Sequence, residues 1–288
     1  MRNMDEQFTN QVHQMKHPKV IVLLPVYRKD SPAYLRMSVN SMLSQTYKPL
    51  HILIGIDGPI EGELADTVQS YSRHVQITVL PFEENRGLAA LLNDMIRWSQ
   101  LEGYQYFARM DADDISLPER IEKQMDYLSA HPETDAVGGA TNEIDAHGKE
   151  RGKINHYPLT PDECYRYFAK RNPVAHPSVI IKQTFFDKAG CLYRPEFRQN
   201  QDTMLWFDGL KKGALIANIP DVVLNFRVNE EFFTKRRNGW AYAKGLLKER
   251  KTINRELHYG WKATLYAYML FVFRISPAWI IRLAYKIL

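Results

Sequence analysis

Blocks of hydrophobic residues alternate with blocks of mixed character along the first part of the chain, and they predict strands followed by helices. "KVIVLLPV" (19–26) is a continuous apolar run of strand length, as in a strand buried on both faces of a parallel sheet. "SPAYLRMSVNSMLSQ" (31–45) follows, with apolar residues at helical spacing and with Ser31 and Pro32 suited to a helix start. This stretch therefore predicts one strand and one helix.

The same alternation recurs twice more. "LHILIGID" (50–57) precedes the helical pattern at 63–73, and "VQITVLP" (75–81) precedes the one at 87–100. A fourth apolar strand, "YQYFARM" (104–110), comes next. Strands that alternate with helices imply crossover connections and a doubly wound sheet. We therefore expect an α/β fold with a Rossmann-like, mostly parallel sheet flanked by helices.

The pattern becomes irregular after residue 140, where only "HPSVIIK" (176–182) and "LIANIPDVVLNFRV" (215–228) read as strands. Helical character returns from about Gly239 onward, so we expect a division near Asn229. The predicted organisation is a polar N-terminal extension (1–18), one α/β domain (19–230) and a basic, amphipathic helical segment (231–288).

Polar residues cluster where the predicted strands end. Ligands of doubly wound sheets bind at the carboxyl ends of the strands. Pro25 to Asp30, Asp57, Asn85 to Gly87 and Asp111 to Asp114 all occupy such positions. We expect the four groups to meet at one edge of the sheet.

The segment "RMDADDISLPER" (109–120) places three aspartates within four positions. Their mutual repulsion is unfavourable unless a cation lies among them. Asp111 and Asp113 alternate in an extended segment, so they would point the same way and share one hard divalent cation. Such an ion commonly bridges a diphosphate in enzymes that use nucleotides.

Two structural alternatives apply to the same segment. Ser116 and Glu119 match an S-x-x-E capping box, and Asp114 would then favour the positive end of the helix. That interpretation accounts for Asp114 and leaves the other two aspartates unexplained. A calcium loop of the EF-hand type fails, because Ile115 and Ser116 stand where an oxygen ligand and the obligatory glycine belong.

The other strand ends each have two interpretations. Asp57 precedes Gly58 and Pro59, so it is either a ligand contact or a turn-forming aspartate. "ENRG" (84–87) is either a simple turn or the start of a helix whose N-terminus, with Arg86, binds a phosphate. Local pattern does not decide between them.

Composition narrows the class of protein. The chain has 288 residues, of which 45% are hydrophobic and 25% charged, which is typical of a globular protein. Its N-terminus lacks a signal peptide, and its two cysteines, Cys164 and Cys191, are too few for a disulfide scaffold or a zinc cluster. We therefore expect a cytoplasmic protein with two buried thiols.

The net charge of +5 indicates an anionic partner, which could be a nucleic acid, a nucleotide or a lipid headgroup. Basic residues concentrate at 233–251, and an apolar, aromatic tail follows at 264–288. Its apolar part, 264–273, is far shorter than the roughly 20 residues of a spanning helix. We expect this segment to lie on an anionic membrane surface, and we disfavour nucleic acid because no base-stacking repeats accompany the basic cluster.

Six motifs in a fixed order carry a resemblance to a known family. "LLPVYRKD", "IGIDGP", "NRGLAALLN", "RMDADD", "HPSV" and "QDTMLWFDGL" follow one another as in family 2 glycosyltransferases of the GT-A fold. The chain looks most like the bacterial branch that builds O-antigen and exopolysaccharide repeat units on a polyprenyl diphosphate. The resemblance implies Mn²⁺ or Mg²⁺ on Asp111 and Asp113. The residues expected around the nucleotide sugar and its metal are Pro25, Tyr27, Asp57, Asn85, Arg86, Asp111 and Arg236.

The motif that carries the general base in such enzymes departs slightly here. Relatives often read E-D where this chain has Gln201 and Asp202, which leaves Asp202 as the candidate base, and Trp206 as a residue that could stack on an acceptor sugar. Relatives also place a histidine where this chain has Asn229, so Lys235, Arg236 or Arg237 could cover the diphosphate instead. His176 is either a loop histidine ordered by Pro177 or a functional residue.

The resemblance implies an inverting transferase that moves a hexose from UDP-Gal or UDP-Glc to a sugar on a polyprenyl diphosphate, at the cytoplasmic face of the inner membrane. A nucleotidyltransferase is an alternative, although "PVYRKDSPAY" (25–34) lacks the glycine-rich, basic loop expected there. A non-catalytic, membrane-associated nucleotide-binding protein is a second alternative.

Overall fold

The computed structural model describes residues 18–228 and 239–276, and within them it contains nine strands and nine α-helices. The strands are β1 (Val20–Val26), β2 (Leu50–Asp57), β3 (Ile77–Phe82), β4 (Tyr106–Arg109), β5 (Ile115–Ser116), β6 (Ala136–Ile144), β7 (Glu150–Asn155), β8 (Ile180–Lys182) and β9 (Ile216–Arg227). The helices are α1 (Pro32–Leu43), α2 (Gly62–Tyr71), α3 (Leu88–Leu101), α4 (Arg120–Ala130), α5 (Pro161–Phe168), α6 (Gln183–Ala189), α7 (Gln201–Lys211), α8 (Trp240–Glu256) and α9 (Trp261–Ile275).

All nine strands belong to one sheet, in the order β3-β2-β1-β4-β8-β6-β9-β5, with β7 paired to β6. Strands β1 to β4 pair in parallel, as their continuous apolar runs predict. Strand β8 runs antiparallel to both β4 and β6, so the sheet is more mixed than expected. The predicted α/β class holds, and the antiparallel strands were the part that hydrophobic pattern alone did not reveal.

Helices cover both faces of the sheet. On one face Leu35 of α1, Val68 of α2 and Ile121 of α4 belong to one apolar cluster with residues of β1 and β2. On the other face α3 and the helices after β7 form a second apolar cluster, with Leu92 and Trp206 among its fully buried members. Alternate residues of the strands supply the two clusters, which is the consequence of a strand buried on both sides.

Of two predicted helix starts, the one at Ser31 and Pro32 is confirmed and the one at Ser116 is wrong. Ser31 is the N-cap residue of α1, but its side chain makes no capping hydrogen bond. The S-x-x-E box is wrong, because Ser116 lies in β5 while α4 starts at Arg120 and Glu119 pairs with Lys123. A capping box does form at the start of α5, at Thr160 and Glu163.

The helices α8 and α9 pack against each other as a hairpin, and α8 also joins the domain core. Ile253 and Leu257 are buried in the second apolar cluster, and the Arg250 guanidinium donates to the Phe168 carbonyl at 2.8 Å. The predicted boundary at Asn229 lies outside the described residues and stays a prediction. None of the helices in the two described ranges is both long and apolar enough to cross a membrane.

The two cysteines differ in exposure. Cys164 is buried, as predicted, whereas Cys191 is only partly buried. Both thiols are free. Burial raises the pKa of Cys164 to about 12, so this thiol stays protonated at neutral pH.

Candidate functional site

The register of the parallel strands brings the predicted polar segments to one edge of the sheet. Val26 in β1 lies opposite Ile56 in β2, and Leu23 in β1 lies opposite Arg109 in β4. Asp57, the last residue of β2, pairs with Phe82 at the end of β3. The segments that follow these strands therefore leave the sheet at the same edge, as expected for parallel neighbours.

The acidic cluster after β4 contains three carboxylates. Oxygens of Asp111, Asp113 and Asp114 lie within 4.8 Å of one another. The expected reason for this proximity was an extended segment, but residues 112 and 113 form a turn. The turn brings in Asp114 as well, so its assignment to a helix end was wrong. Instead Asp114 Oδ1 accepts a hydrogen bond from the Arg227 amide at 2.8 Å.

Three buried or nearly buried arginines surround these carboxylates. The Arg109 guanidinium pairs with the Asp111 carboxylate, and Arg227 Nε donates to the Asp113 carbonyl at 2.8 Å. Arg120 donates to the Arg109 carbonyl at 2.8 Å, and burial lowers the pKa of its guanidinium to about 9. Three guanidinium groups thus offset part of the repulsion among the three aspartates and fix the turn that carries them.

The remaining electrostatics of the cluster favour a hard cation. Burial, and then the charge of Asp111, raise the pKa of Asp113 to about 6. Burial and both neighbouring aspartates raise the pKa of Asp114 well above its usual value. Asp114 Oδ2 is buried and has no hydrogen-bond partner in the described part of the chain. An all-oxygen cluster with an unsatisfied buried carboxylate oxygen fits a divalent ion such as Mn²⁺ or Mg²⁺.

Asp57 organises the neighbouring loop. Its Oδ1 accepts from the Arg86 amide at 2.8 Å, and its Oδ2 accepts from the Gly87 amide at 2.9 Å. Gly58 has a φ of 80°, and a Cβ there would lie 2.7 Å from the Asn85 nitrogen. Asn85 in turn donates to the Asp57 carbonyl at 3.0 Å. The turn-forming role is therefore present, and each carboxylate oxygen keeps a second lone pair, so the predicted nucleoside contact remains compatible with it.

Arg86 lies beside β3, the first strand in the order of the sheet. Its guanidinium pairs with Asp94 and lies 5.4 Å from the centre of the Phe82 ring. The side chains of Arg86 and Asp94 border a groove of about 640 Å³ beside β3 and α3. The predicted contact between Arg86 and a donor phosphate stays a prediction.

The segment after β1 forms a short turn at the same edge. The Tyr27 amide donates to Asp30 Oδ2 at 2.9 Å, and the Asp30 amide donates to the Tyr27 carbonyl at 3.0 Å. Pro25 is buried within β1 opposite Gly55. Both predicted nucleotide contacts, Pro25 and Tyr27, therefore lie on or beside the strand that borders the acidic cluster.

Asp202 occupies the first turn of α7, as the sequence predicts. Its Oδ1 accepts from the Thr203 amide at 2.8 Å, and its Oδ2 accepts from Asn172 Nδ2 at 2.9 Å. Asn172 Oδ1 accepts in turn from the Thr203 hydroxyl at 2.9 Å. The carboxylate is thus held by the start of the helix and by the loop that precedes His176.

Tyr193 is a buried residue of the site that sequence reasoning missed. Burial raises the pKa of its hydroxyl, the charge of Arg109 opposes that rise, and the charges of Asp202 and Asp111 add to it. The Tyr193 hydroxyl shares a hydrogen bond of 2.7 Å with His176 Nε2. The Asn93 side chain holds the Tyr193 backbone, because it accepts from the Tyr193 amide and donates to the Tyr193 carbonyl. The charges of Asp202 and Asp111 thus both act on the Tyr193 hydroxyl.

His176 is held beneath this tyrosine as a neutral ring. Its ring centre is 5.5 Å from that of Tyr193 and 6.3 Å from that of Trp206. Burial, and then the charge of Arg109, lower the pKa of His176 well below its usual value. The motif histidine therefore packs within the site and does not carry a charge at neutral pH.

Two neighbours of Asp202 on α7 have structural roles. Trp206 is 0% exposed and packs 5.7 Å from Phe185, so the suggestion that it stacks on an acceptor sugar was wrong. Asp208 pairs with Arg194, whose Nε donates to it at 2.7 Å. The other predicted donor contacts, at Lys235, Arg236 and Arg237, lie outside the described residues, as does Asn229, which stands where relatives have a histidine.

Comparison with known proteins gives a family match and two close relatives. The family model described as Glycosyl transferase family 2 matches residues 21–189. The amylovoran biosynthesis glycosyltransferase AmsE of Erwinia amylovora is 33% identical over 223 residues, covering 77% of this chain and 81% of the relative. A UDP-Gal:alpha-D-GlcNAc-diphosphoundecaprenol beta-1,3-galactosyltransferase of Escherichia coli is 27% identical over 266 residues, covering 92% of each chain.

A solved structure supports the fold. The mannosyltransferase PcManGT from Pyrobaculum calidifontis, in complex with GDP-Man and Mn²⁺, superposes with a TM-score of 0.61 at 16% identity. The match covers 88% of this chain and 74% of that one. Together with the family match, this likeness confirms the expected GT-A-like α/β fold.

Proposed function

Because the chain belongs to glycosyl transferase family 2, we propose that it moves a hexose from a UDP-sugar, UDP-Gal or UDP-Glc, to a sugar on a polyprenyl diphosphate. The reaction would serve O-antigen or exopolysaccharide synthesis. The relatives support this choice, since one is an amylovoran biosynthesis enzyme and the other carries a UDP-Gal donor and a diphosphoundecaprenol acceptor in its name. Family membership also favours transfer over the nucleotidyltransferase alternative.

One observation carries the proposal. The acidic cluster after β4 and the Asp202 carboxylate at the start of α7 both act on the Tyr193 hydroxyl, although they lie far apart in the sequence. A site that combines metal-binding carboxylates with a further carboxylate acting on the same hydroxyl would hold a diphosphate and an acceptor hydroxyl together. This is the arrangement that direct transfer of a glycosyl group requires.

Asp202 is the proposed general base. The hydrogen bonds that it accepts from the Thr203 amide and from Asn172 orient the carboxylate at the start of α7. A positioned base of this kind contributes about 10²- to 10⁴-fold to the rate. Attack by the deprotonated hydroxyl in a single displacement inverts the anomeric carbon.

Asp111 and Asp113 are the proposed metal ligands, with Asp114 as a third carboxylate of the same cluster. A bound divalent ion would act as a Lewis acid on the donor diphosphate, whose charge grows as it leaves. Arg109 and Arg227 hold the turn that presents these oxygens. We propose that Pro25, Tyr27, Asp57, Asn85 and Arg86 surround the nucleotide, and that Arg236 covers the diphosphate.

We also propose that the enzyme works as a peripheral protein at the cytoplasmic face of the inner membrane. A polyprenyl-linked acceptor is confined to the bilayer, so the transferase has to meet it at the membrane surface. The division into a polar extension (1–18), a transferase domain (19–230) and a basic membrane-associating segment (231–288) is part of this proposal.

The decisive experiment is a product assay. Purified protein with Mn²⁺ or Mg²⁺ is incubated with a panel of nucleotide sugars and a synthetic lipid diphosphate that bears GlcNAc or GalNAc. We expect a disaccharide lipid and free UDP with one UDP-hexose. Release of pyrophosphate would indicate a nucleotidyltransferase, and binding without any product would indicate the non-catalytic alternative.

A further inference from the structure

Helix α9 turns an apolar face to solvent. Its small residues Ala263 and Ala267 are buried, which is the side on which a helix packs closely against its neighbour. On the opposite side six large hydrophobic residues, spaced by one helical repeat, are between 38% and 71% exposed. These residues form what we call the α9 face: Trp261, Leu265, Tyr268, Met269, Val272 and Ile275. A soluble surface helix normally has the reverse arrangement.

The charge around this face is strongly positive. Residues 240–275 contain seven Lys and Arg and two Glu, a net charge of +5. Residues 19–228 contain 24 Lys and Arg and 27 Asp and Glu, a net charge of −3. Two of the lysines lie beside the α9 face itself, with Lys251 Nζ 5.7 Å from the Tyr268 ring and Lys262 Nζ 6.0 Å from the Trp261 ring.

We infer that the α9 face is the surface that docks the enzyme on a bilayer of anionic lipid, an inference that rests on the proposed lipid-linked acceptor. Aliphatic side chains would enter the headgroup boundary, while Trp261 and Tyr268 prefer that boundary for their amphipathic rings. The surrounding lysines would meet anionic headgroups. A second copy of the chain is a poor occupant, because two faces of equal positive charge repel each other.

The hairpin of α8 and α9 adjoins the base end of the site. Glu249 in α8 accepts from Asn200 Nδ2 at 3.1 Å, and Asn200 is the residue that precedes α7. Asn200 lies two residues before Asp202, so this hydrogen bond ties α8 to the segment that carries the candidate base. Docking through α9 therefore keeps the start of α7 close to the surface where a lipid-linked sugar arrives.

Point substitutions test the inference better than truncation, because Ile253 of α8 and Leu257, the residue that follows α8, belong to the domain core. The test variant is the double substitution Leu265→Asp and Val272→Asp, two turns apart on the α9 face. The matched control is Val75→Asp with Leu101→Asp, two hydrophobic residues that are 89% and 88% exposed outside the hairpin. Circular dichroism and thermal melts confirm that all three proteins fold.

Flotation with vesicles of phosphatidylglycerol and phosphatidylcholine measures the partition coefficient of the full chain. We expect wild type and control to float with anionic vesicles, less so as salt rises. The double variant should partition at least about tenfold more weakly, since each new carboxylate opposes burial and meets like charge. Transfer to a water-soluble, short-chain acceptor should be equal in all three proteins.

Two results would overturn the inference. One is flotation of the double variant equal to that of the control. The other is a wild-type dimer in light scattering that the double variant converts to a monomer with flotation unchanged, which would make the α9 face a contact between copies. If the variant loses flotation but no nucleotide sugar supports transfer by any of the proteins, the docking surface stands and the proposed function fails.

Discussion

Replacement of Asp202 by asparagine tests the chemistry with little disturbance of the structure. The asparagine oxygen can still accept from the Thr203 amide, which lies 2.8 Å from Asp202 Oδ1. Its new amide group would face Asn172 Nδ2, but Asn172 can rotate its amide and accept instead. The Thr203 hydroxyl, now a donor to Asn172, would then become the acceptor. The small network can therefore be satisfied with either residue.

The magnitudes separate the two effects. Removing the negative charge from the hydrogen bonds with the Thr203 amide and Asn172 lowers the free energy of unfolding by about 1 kcal/mol. The typical free energy of unfolding of a protein is about 5–15 kcal/mol. Loss of a general base costs about 10²- to 10⁴-fold in rate, or about 2.7–5.4 kcal/mol in activation free energy. We expect Asp202→Asn to remain folded, to change donor affinity by less than about tenfold and to transfer sugar at least about 100-fold more slowly.

The assay is single-turnover transfer, with calorimetric titration of UDP and Mn²⁺ on the same preparation. Asp208→Asn is the control, since Asp208 lies on the same helix and pairs with Arg194. The Asp208→Asn variant should lose about 1.5–3 kcal/mol in the free energy of unfolding and therefore melt at a lower temperature. Its rate of sugar transfer per folded molecule should equal that of wild type. Transfer by Asp202→Asn within about tenfold of wild type would refute the assignment of the base. Loss of donor binding as well would make Asp202 a structural residue.

Three further outcomes follow from the site. Asp111→Ala or Asp113→Ala should abolish metal-dependent UDP binding in calorimetry, with the surface variant Asp187→Ala as control, because each removes an oxygen ligand; unchanged affinity in both would exclude the metal site. Asp114→Asn should keep the bond from the Arg227 amide yet weaken Mn²⁺ binding at least about tenfold, and a variant with full metal affinity would make Asp114 purely structural. His176 has a lowered pKa, so the unfolded chain binds a proton near pH 6.5 that the folded chain does not, and stability should fall as the pH falls. From about pH 7.5 to pH 5.5, urea unfolding should show wild type losing about 1.4 kcal/mol more than His176→Gln, and parallel curves would contradict the neutral ring.

Local pattern predicted β1 to β4 because a strand buried on both faces has to be apolar throughout. Strand β6 is just as buried but contains Gly138 and Gly139 in its centre. A Cβ at Gly138 would lie 2.2 Å from Val174, and one at Gly139 would lie 2.8 Å from Val223. These glycines are required by packing partners far along the chain, so a pattern read along the sequence finds only weak strand character there.

The residues of the candidate site also divide into those that local sequence pattern reveals and those that it does not. Asp111 and Asp113 could be found because their chemistry is concentrated in one short segment at a strand end. Tyr193 could not, since its backbone is fixed by Asn93, 100 residues earlier, and its hydroxyl by His176. The available signal was Asn93 itself, a polar residue within the apolar pattern of α3 that is almost fully buried. A buried amide needs hydrogen-bond partners, and such a residue marks a long-range contact.

Asp114 shows why a correct local rule can still give the wrong answer. An aspartate shortly before a helix commonly interacts with the helix end, and only the position of α4 at Arg120 excludes that role here. The residue that holds Asp114 is Arg227, 113 positions later, which also lies 4.1 Å from the Tyr34 ring and donates to the Asp145 carbonyl at 2.8 Å. One arginine thus ties the end of β9 to α1, to the turn after β6 and to the acidic cluster. Since its contacts join segments that are far apart in the sequence, the geometry of the cluster depends on the completed fold.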